Sequence, residues 1–522
     1  MTSEILANAF KTLAEEMSVI EYRSSVSPVI RESRDYDCAV FDPHGQLVAS
    51  AEINPALLGA TQFALQAVLE RRSKPLKPGD VLLTNDPYLG GSHTPDLTVF
   101  SPVFEGDQLV GYVNSVAHHV DVGGRFPGSE SALSEEIFQE GLIFSGILIV
   151  DGGERVEPVY DLIESNVRDP DATIADLDAQ LAACRRGEER LLALCKRYGA
   201  TTVLAAMDAL IDRTAELAIE QFSSWPDRVV RAEGWLDDAG PGTEPARIVV
   251  ELAVRDGRLT IDLTGTSEQA PWGLNVPAGS LKSTGLFIAR YATGLPANAG
   301  LARQVDISAP AGTILNPKWP APIGARAITL QRLAAVLVEA LSELVPEKAI
   351  AASCVATPVH YFQAVDPRTD RLSVFVCYYG GGGGATARGP GDDGVDTYTV
   401  NVQFLPVEII ELEYPWRVLH SGLVPGSGGA GRHRGGMALR RDIELLAERA
   451  NGTTYLDQTT PRTAASGMAG GGEGSLARMA VRRAGSPEWV DIPPKGKIEM
   501  SKGDAISVIT AGGGGYGPPE DG

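Results

Sequence analysis

The sequence predicts an α+β protein of several domains, and three observations carry that reading. Apolar residues recur at helical spacing in some blocks, strand-like apolar runs broken by turn residues fill others, and 58 of the 522 residues are glycine, about 11% against an average near 7%. With roughly 100–200 residues to a domain, the chain divides at soft boundaries. They separate an N-terminal α+β region (1–165), a helical hairpin (166–226), a central α+β region (227–350) and a glycine-rich, strand-dominated C-terminal region (351–522).

Leu6, Phe10, Leu13, Met17 and Ile20 alternate by steps of four and three, which stacks them on one face of a first helix. Asp37 to Ser50 reads as two short strands about a Pro-His-Gly turn. A helix over about 55–71 follows, and Val-Leu-Leu-Thr at 81–84 reads as a strand entering the loop NDPYLGGSHTPD (85–96). Two strands flank a turn at Gly106 before AHHVDVGG (117–124), and LIFSGILIV (142–150) is strand-like. Both polar loops thus follow apolar strands, a common place for chemistry. From Asp169 to about Ser224, residues such as Ile174, Leu177, Leu181, Leu191, Val203, Met207 and Leu210 keep helical spacing on either side of Gly199, which predicts the hairpin. Strand-rich text after Trp225 gives way to helices near 279–293 and 328–346. Beyond Ser353 short strands alternate with glycine runs at 380–384, 426–436, 470–472 and 512–515, read as loops. No repeat of about 20–50 residues relates them.

Forty-five Lys and Arg against 67 Asp and Glu give a net charge of -22, which repels phosphate backbones and anionic lipids and argues against nucleic acid or a membrane surface as partner. An apolar content of 43% with 21% charged residues fits a globular chain. Five cysteines (Cys38, Cys184, Cys195, Cys354, Cys377) form no C-x-x-C pair, and the N-terminus MTSEILANAF has neither basic flank nor apolar leader core. The expectation is a reduced, cytoplasmic protein. No apolar run approaches the roughly 18–20 residues of a bilayer span.

Three of the seven histidines, His93, His118 and His119, fall within the two polar loops beside Asp86, Asp96 and Asp121. His93 and Asp96 can aim an imidazole and a carboxylate at one ion from a tight loop, and His118 at a strand end can add a third ligand. Mixed imidazole and carboxylate ligation suits Mn, Fe, Zn or Co, and an open position would hold a water that the ion acidifies. The alternative is that these residues cap a turn and finish a strand, since H-x-x-D also arises by chance. No P-loop or dinucleotide fingerprint is present, so ATP binding by this chain has no support. The GGGGG run at 380–384 reads as a turn, with an anion nest as the alternative. Arg388, Arg432, His433 and Arg434 could grip an anion or simply bridge loops. No G-x-S-x-G elbow occurs, and Cys38 lies in an apolar strand pattern, which argues against Ser or Cys nucleophiles.

NDPYLGGSHTPDLTVFSPVF (85–104), AHHVDVGGRFPGSE (117–130) and EIFQEGL (136–142) resemble signature segments of the hydantoinase B/oxoprolinase family, which includes a large subunit of acetone carboxylase. SRDYDCAVFDPHGQLVAS (33–50), NAGLARQVDISAPAGTILNP (298–317), LPVEIIELEYPWRV (405–418), PGSGGAGRHRGG (425–436) and TAGGGGYG (510–517) continue the resemblance across the chain in order. It implies the α+β fold of that family and one half of a two-component, ATP-dependent enzyme. A hydantoinase A-type partner would bind ATP and phosphorylate a carbonyl or enol oxygen, and this chain would carry the divalent-metal site where the activated intermediate is attacked. Carried over by position, the metal ligands are Asp35, His93, Asp96 and His118, with His119 and Asp121 orienting the imidazoles for catalysis. The implied substrate is a small cyclic amide (a hydantoin, 5-oxoproline or another lactam) opened within a hetero-oligomer. An ATP-dependent ketone carboxylase subunit and a non-catalytic scaffold are the alternatives. Where many relatives read N-T-P-V-E and R-P-D-S-G-G, this chain has Phe404-Leu405-Pro406-Val407-Glu408 and Val424-Pro425-Gly426-Ser427-Gly428, which leaves the substrate open.

Overall fold

The structure is a computed structural model and describes residues 2–519. Its N-terminal part is a seven-stranded antiparallel sheet of β1 (Tyr36–Phe41), β2 (Leu47–Ser50), β3 (Val81–Thr84), β4 (Asp96–Glu105), β5 (Gln108–His118), β6 (Ser145–Asp151) and β7 (Glu154–Arg155), in the order β2-β1-β5-β4-β3-β6-β7. Successive strand residues point to opposite faces, and here both faces are covered. Cys38, Val40, Leu83, Val99 and Val113 join Leu6, Phe10, Leu13 and Met17 in one core. Ala39, Phe41, Leu82, Phe100 and Tyr112 join Ala64, Leu65 and Val68 in another. The helices concerned are α1 (Thr2–Ser24), the short α2 (Pro28–Arg31), α3 (Pro55–Arg71), α4 (Glu157–Glu164), α5 (Pro170–Tyr198) and α6 (Ala200–Ser223). The expected helical hairpin is α5 and α6. Asp169 caps α5 by accepting from the Ala172 amide, Pro170 opens it, and Gly199 at φ 84° ends it, a conformation glycine adopts without strain.

A second sheet, in the order β11-β10-β9-β8, comprises β8 (Val230–Trp235), β9 (Arg247–Arg255), β10 (Arg258–Asp262) and β11 (Val305–Ser308). Its parallel pair β10–β11 is joined through α7 (Ala278–Thr293) and α8 (Ala299–Ala302), since parallel neighbours need a long crossover. Helix α9 (Arg326–Leu344) packs on β8, β9 and α7.

The C-terminal part is a sandwich. One sheet runs β13-β12-β16-β19, from β12 (Val359–Asp366), β13 (Arg371–Tyr378), β16 (Arg449–Tyr455) and β19 (Gly496–Ser501). The other runs β14-β15-β20-β17-β18, from β14 (Trp416–Leu423), β15 (Leu439–Leu445), β17 (Arg478–Arg482), β18 (Val490–Asp491) and β20 (Ala505–Ile509), with α10 (Val407–Glu413) before β14. Phe362 and Phe375 pack on Trp416 between them, at ring separations of 5.0 and 5.5 Å.

The run at 380–384 is not the turn expected of it, although all four glycine-rich segments are loops as expected. They lie side by side as extended segments that bond to one another through the backbone. The Gly382 amide donates to Ala511 O (2.9 Å), Gly436 to Gly383 O (2.8 Å), Gly513 to Gly436 O (3.0 Å) and Gly429 to Gly513 O (2.8 Å). A Cβ at Gly435 would stand 1.9 Å from Gly513 O, and one at Gly382 2.0 Å from Gly436 O. Close backbone approach, rather than positive φ, is what demands glycine there. The anion-nest alternative is also corrected, because the amides of Gly381, Gly382, Gly383 and Gly384 all donate to acceptors within the protein. Arg434 bridges this region to Asp393 with two bonds of 2.6 and 2.9 Å. Among the described residues, no helix is long and apolar enough to cross a membrane.

Candidate metal centre

Strand β4 begins at Asp96 and β5 ends at His118, and the antiparallel register sets these residues directly opposite each other. The loop before β4 is held rigid from inside. Asn85 donates to Thr94 O (2.6 Å) and Leu142 O (2.8 Å), and its side-chain oxygen accepts the Phe144 amide (2.6 Å). Asp86 caps the Tyr88 amide, and Gly90, at φ 93°, passes so close to the α3 backbone that a Cβ would meet Ala64 N at 2.6 Å. The chain then returns with the Asp96 amide donating to His93 O (3.1 Å), which seats the His93 ring over the strand ends.

Three buried ligand-type atoms meet there. His93 Nε2 lies 2.9 Å from Asp96 Oδ1 and 3.0 Å from His118 Nδ1, and His118 Nδ1 lies 3.1 Å from Asp96 Oδ1. Among the described residues this is the one cluster of three such groups compact enough to hold an ion. The triangle cannot be closed by hydrogen bonds alone. With both imidazoles neutral, one of the two facing nitrogens must present a lone pair, and that lone pair also faces the carboxylate oxygen. With both protonated toward the centre, two N–H groups oppose each other. A cation at the centre relieves either conflict, and edges near 3 Å suit ligands about 2.0–2.2 Å from an ion. His118 Nε2 is buried with no partner, so hydrogen bonding within the chain does not account for that ring.

The surroundings prepare these atoms for ligation. His93 Nδ1 lies 3.2 Å from Gly324 O, so an N–H at Nδ1 donates to the carbonyl and leaves Nε2 bare. Arg326 donates to Asp96 Oδ2 at 2.9 Å, and the Ser92 hydroxyl donates to the same oxygen. Burial pushes the Asp96 carboxyl up, but His93, Arg326 and His118 together hold it well below the usual range. For His118 burial works against the charged form, and Asp96, Asp35 and Glu130 more than offset it, so its pKa lies above the ordinary value. Asp35 stands slightly back. Its Oδ1 accepts from Asn54 (2.7 Å), its Oδ2 is 4.0 Å from His118 Nδ1, and its backbone oxygen accepts the His118 amide at 2.9 Å. Burial raises its carboxyl.

The structure therefore brings Asp35, His93, Asp96 and His118 together. It gives His119 and Asp121 other bonds. His119 Nε2 pairs with Gln180 Oε1 of α5 (2.9 Å), on the reverse side of the sheet. Asp121 accepts from the amides of Gly123, Gly128 and Arg168 and from the Arg168 guanidinium, all within 3.0 Å, and so organises a loop. Gly324 O holds the His93 imidazole, while Asn54 and Arg326 hold the carboxyl groups of Asp35 and Asp96. Glu130 carries no mark of a site residue in the sequence beyond ending one of the motif segments. Its Oε2 lies 3.5 Å from His93 Nδ1 and 3.9 Å from His118 Nε2. Tyr361 donates to Oε2 (2.7 Å) and Tyr455 to Oε1. These groups line a narrow cleft of about 40 Å³.

The sequence matches the profile of the hydantoinase B/oxoprolinase family over residues 1–519, and the chain belongs to that family. Among its relatives, a protein named as one component of a D-/L-hydantoinase in a Pseudomonas species is 31% identical, over 99% of this chain and 90% of that one. 5-oxoprolinase 1 of Arabidopsis thaliana is 30% identical over 98% of this chain, but the match spans 41% of the plant protein. In three dimensions the fold is similar to the ATP-dependent caprolactamase of Pseudomonas jessenii, with a TM-score of 0.93 and 25% identity over 99% of this chain and 91% of that one. It is also similar in fold to nucleotide-free acetone carboxylase, with a TM-score of 0.90 at 17% identity over 99% and 76% of the two chains.

Proposed function

We propose that this chain is the hydrolytic subunit of an ATP-dependent cyclic-amide hydrolase, with Asp35, His93, Asp96 and His118 holding a divalent Mn, Zn, Fe or Co ion. The observation that carries the reading is the buried triangle of His93, Asp96 and His118, which hydrogen bonds alone cannot satisfy. A divalent ion there supplies Lewis acidity toward a carbonyl or phosphoryl oxygen and toward water.

The ring amide of a lactam or hydantoin is resonance-stabilised, and phosphorylation of its oxygen by an A-type partner makes the ring carbon open to water, so that the C–N bond breaks to leave an acyl phosphate and a second water then releases phosphate. A separate ATP-binding partner fits the missing nucleotide motifs and the fraction of the plant 5-oxoprolinase that this chain matches. On this chain, Arg326 and Ser92 keep Asp96 ionised. Gly324 O keeps the proton of His93 on Nδ1. Tyr361 and Tyr455 hold Glu130 within reach of both imidazoles, where it can accept a proton from the attacking water and pass it toward the departing nitrogen.

The test is reconstitution with the A-type partner, ATP and a panel of cyclic amides. Ring opening coupled to ATP cleavage and abolished by His118→Ala is the expected outcome. ATP turnover that depends instead on a ketone and bicarbonate would replace this reading with the carboxylase one. Full activity in His118→Ala would reduce the chain to a scaffold.

A further inference from the structure

Resting on that reading, the lining of the cleft narrows the substrate. It holds four carboxyl groups, Asp35, Asp96, Glu130 and Asp396, and Arg326 is its one Lys or Arg. That guanidinium is committed to Asp96 at 2.9 Å and is itself 5% exposed. Asp396 is committed as well, accepting the amides of Thr397 (3.0 Å) and Val402 (3.1 Å). Away from the imidazoles the wall is aliphatic, with Leu57, Leu330, Val359 and Val402 all buried. With Arg326 paired to Asp96, no cationic side chain of the lining is left to meet a second anion. A ring carrying its own carboxylate would therefore lose water without gaining a counter-charge, the costly way to bury an ion.

Two buried hydroxyls of the lining lack a partner, that of Tyr379, whose ring packs on His360, and that of Tyr378. The Tyr378 hydroxyl makes no hydrogen bond within the chain. Its residue is 8% exposed, and its ring stands edge-on to His118 at 6.3 Å. Buried hydroxyls are ordinarily paired, so an unpaired one in a ligand cleft marks a place for a ligand atom. Tyr378 and Val359, at adjacent strand ends, share the cleft side of the pair β12–β13.

We propose that the cleft selects cyclic amides whose rings are uncharged, with the Tyr378 hydroxyl bonding the amide and no site for a ring carboxylate, so that a neutral lactam or hydantoin is preferred to 5-oxoproline.

Two substrates that differ by a single group decide this. 2-Pyrrolidinone is 5-oxoproline without its carboxylate. With partner, ATP and metal-loaded chain, the expected kcat/KM for 2-pyrrolidinone exceeds that for 5-oxoproline by at least about 10-fold. Tyr378→Phe, which keeps the ring and removes only the hydroxyl, is expected to raise KM for the neutral substrate about 5–10-fold, the size of one lost hydrogen bond, with a smaller change in kcat. Equal or better use of 5-oxoproline, or an unchanged KM in Tyr378→Phe, overturns the inference and leaves the hydrolase reading standing. Failure to open any cyclic amide while the partner cleaves ATP rejects both.

Discussion

Two strands pass under the site, and each presents one residue to it and the next residue away from it. On β5 and just beyond, His118 enters the charged cluster while His119 turns to Gln180 of α5. On β12, Tyr361 reaches Glu130 while His360 points into the sandwich core, where both ring nitrogens are buried without partners. Neighbouring histidines are thus driven in opposite directions: burial lowers the pKa of both rings, but the carboxylates around His118 reverse the effect and those near His119 do not. Burial alone does not make a site. What separates the two faces is convergence of acceptors from distant elements on one side and packing on the other.

The comparison can be broken at four points. Replacing His118 by Ala should cost more ring-opening activity than the roughly 10–100-fold typical of losing a group that only orients a ligand; a smaller loss would place the ligand set elsewhere. Arg326→Met removes one partner of a buried ion pair, and urea unfolding should show about 3–5 kcal/mol of destabilisation. On the reverse face, His119→Leu should leave the activity in place and cost about 1–3 kcal/mol, because only the Gln180 partnership is lost. A collapse of activity in that variant with the fold intact would mean the two faces are not separate.

The fourth point is pH. Burial brings the His360 pKa from 6.5 down to about 3, so on acidification the unfolded chain takes up that proton first. Its contribution to stability is whole above about pH 6.5 and is lost as pH falls toward about 3. His360→Phe should therefore match the parent's acid response at neutral pH and recover about 2 kcal/mol at pH 5. Parallel stability curves for the two proteins would show that His360 is not buried neutral.

Much of the architecture is legible in the sequence where side chains carry it. The first helix, the hairpin β1–β2, the strand 81–84 and the helix pair broken at Gly199 all follow from period or turn chemistry. The glycine bundle does not follow, because its packing is between backbones and leaves no side-chain period to detect. At the site, His93, Asp96 and His118 are legible because one loop and one strand end supply them. Arg326, Tyr361 and Tyr455 arrive from more than 200 residues away in sequence and bear no local mark. His119 and Asp121, expected to orient the imidazoles, lie just past the end of β5, where His119 turns to Gln180 and Asp121 gathers the loop and Arg168.

The central claim is that the cluster face holds an ion and the reverse face does not. Plasma mass spectrometry of the purified chain, His118→Ala and His119→Leu tests it without a partner or a substrate. The account predicts near-stoichiometric Mn, Zn, Fe or Co in the parent and in His119→Leu, and its disappearance from His118→Ala. Metal retained by His118→Ala, or none bound by the parent after reconstitution, would contradict it.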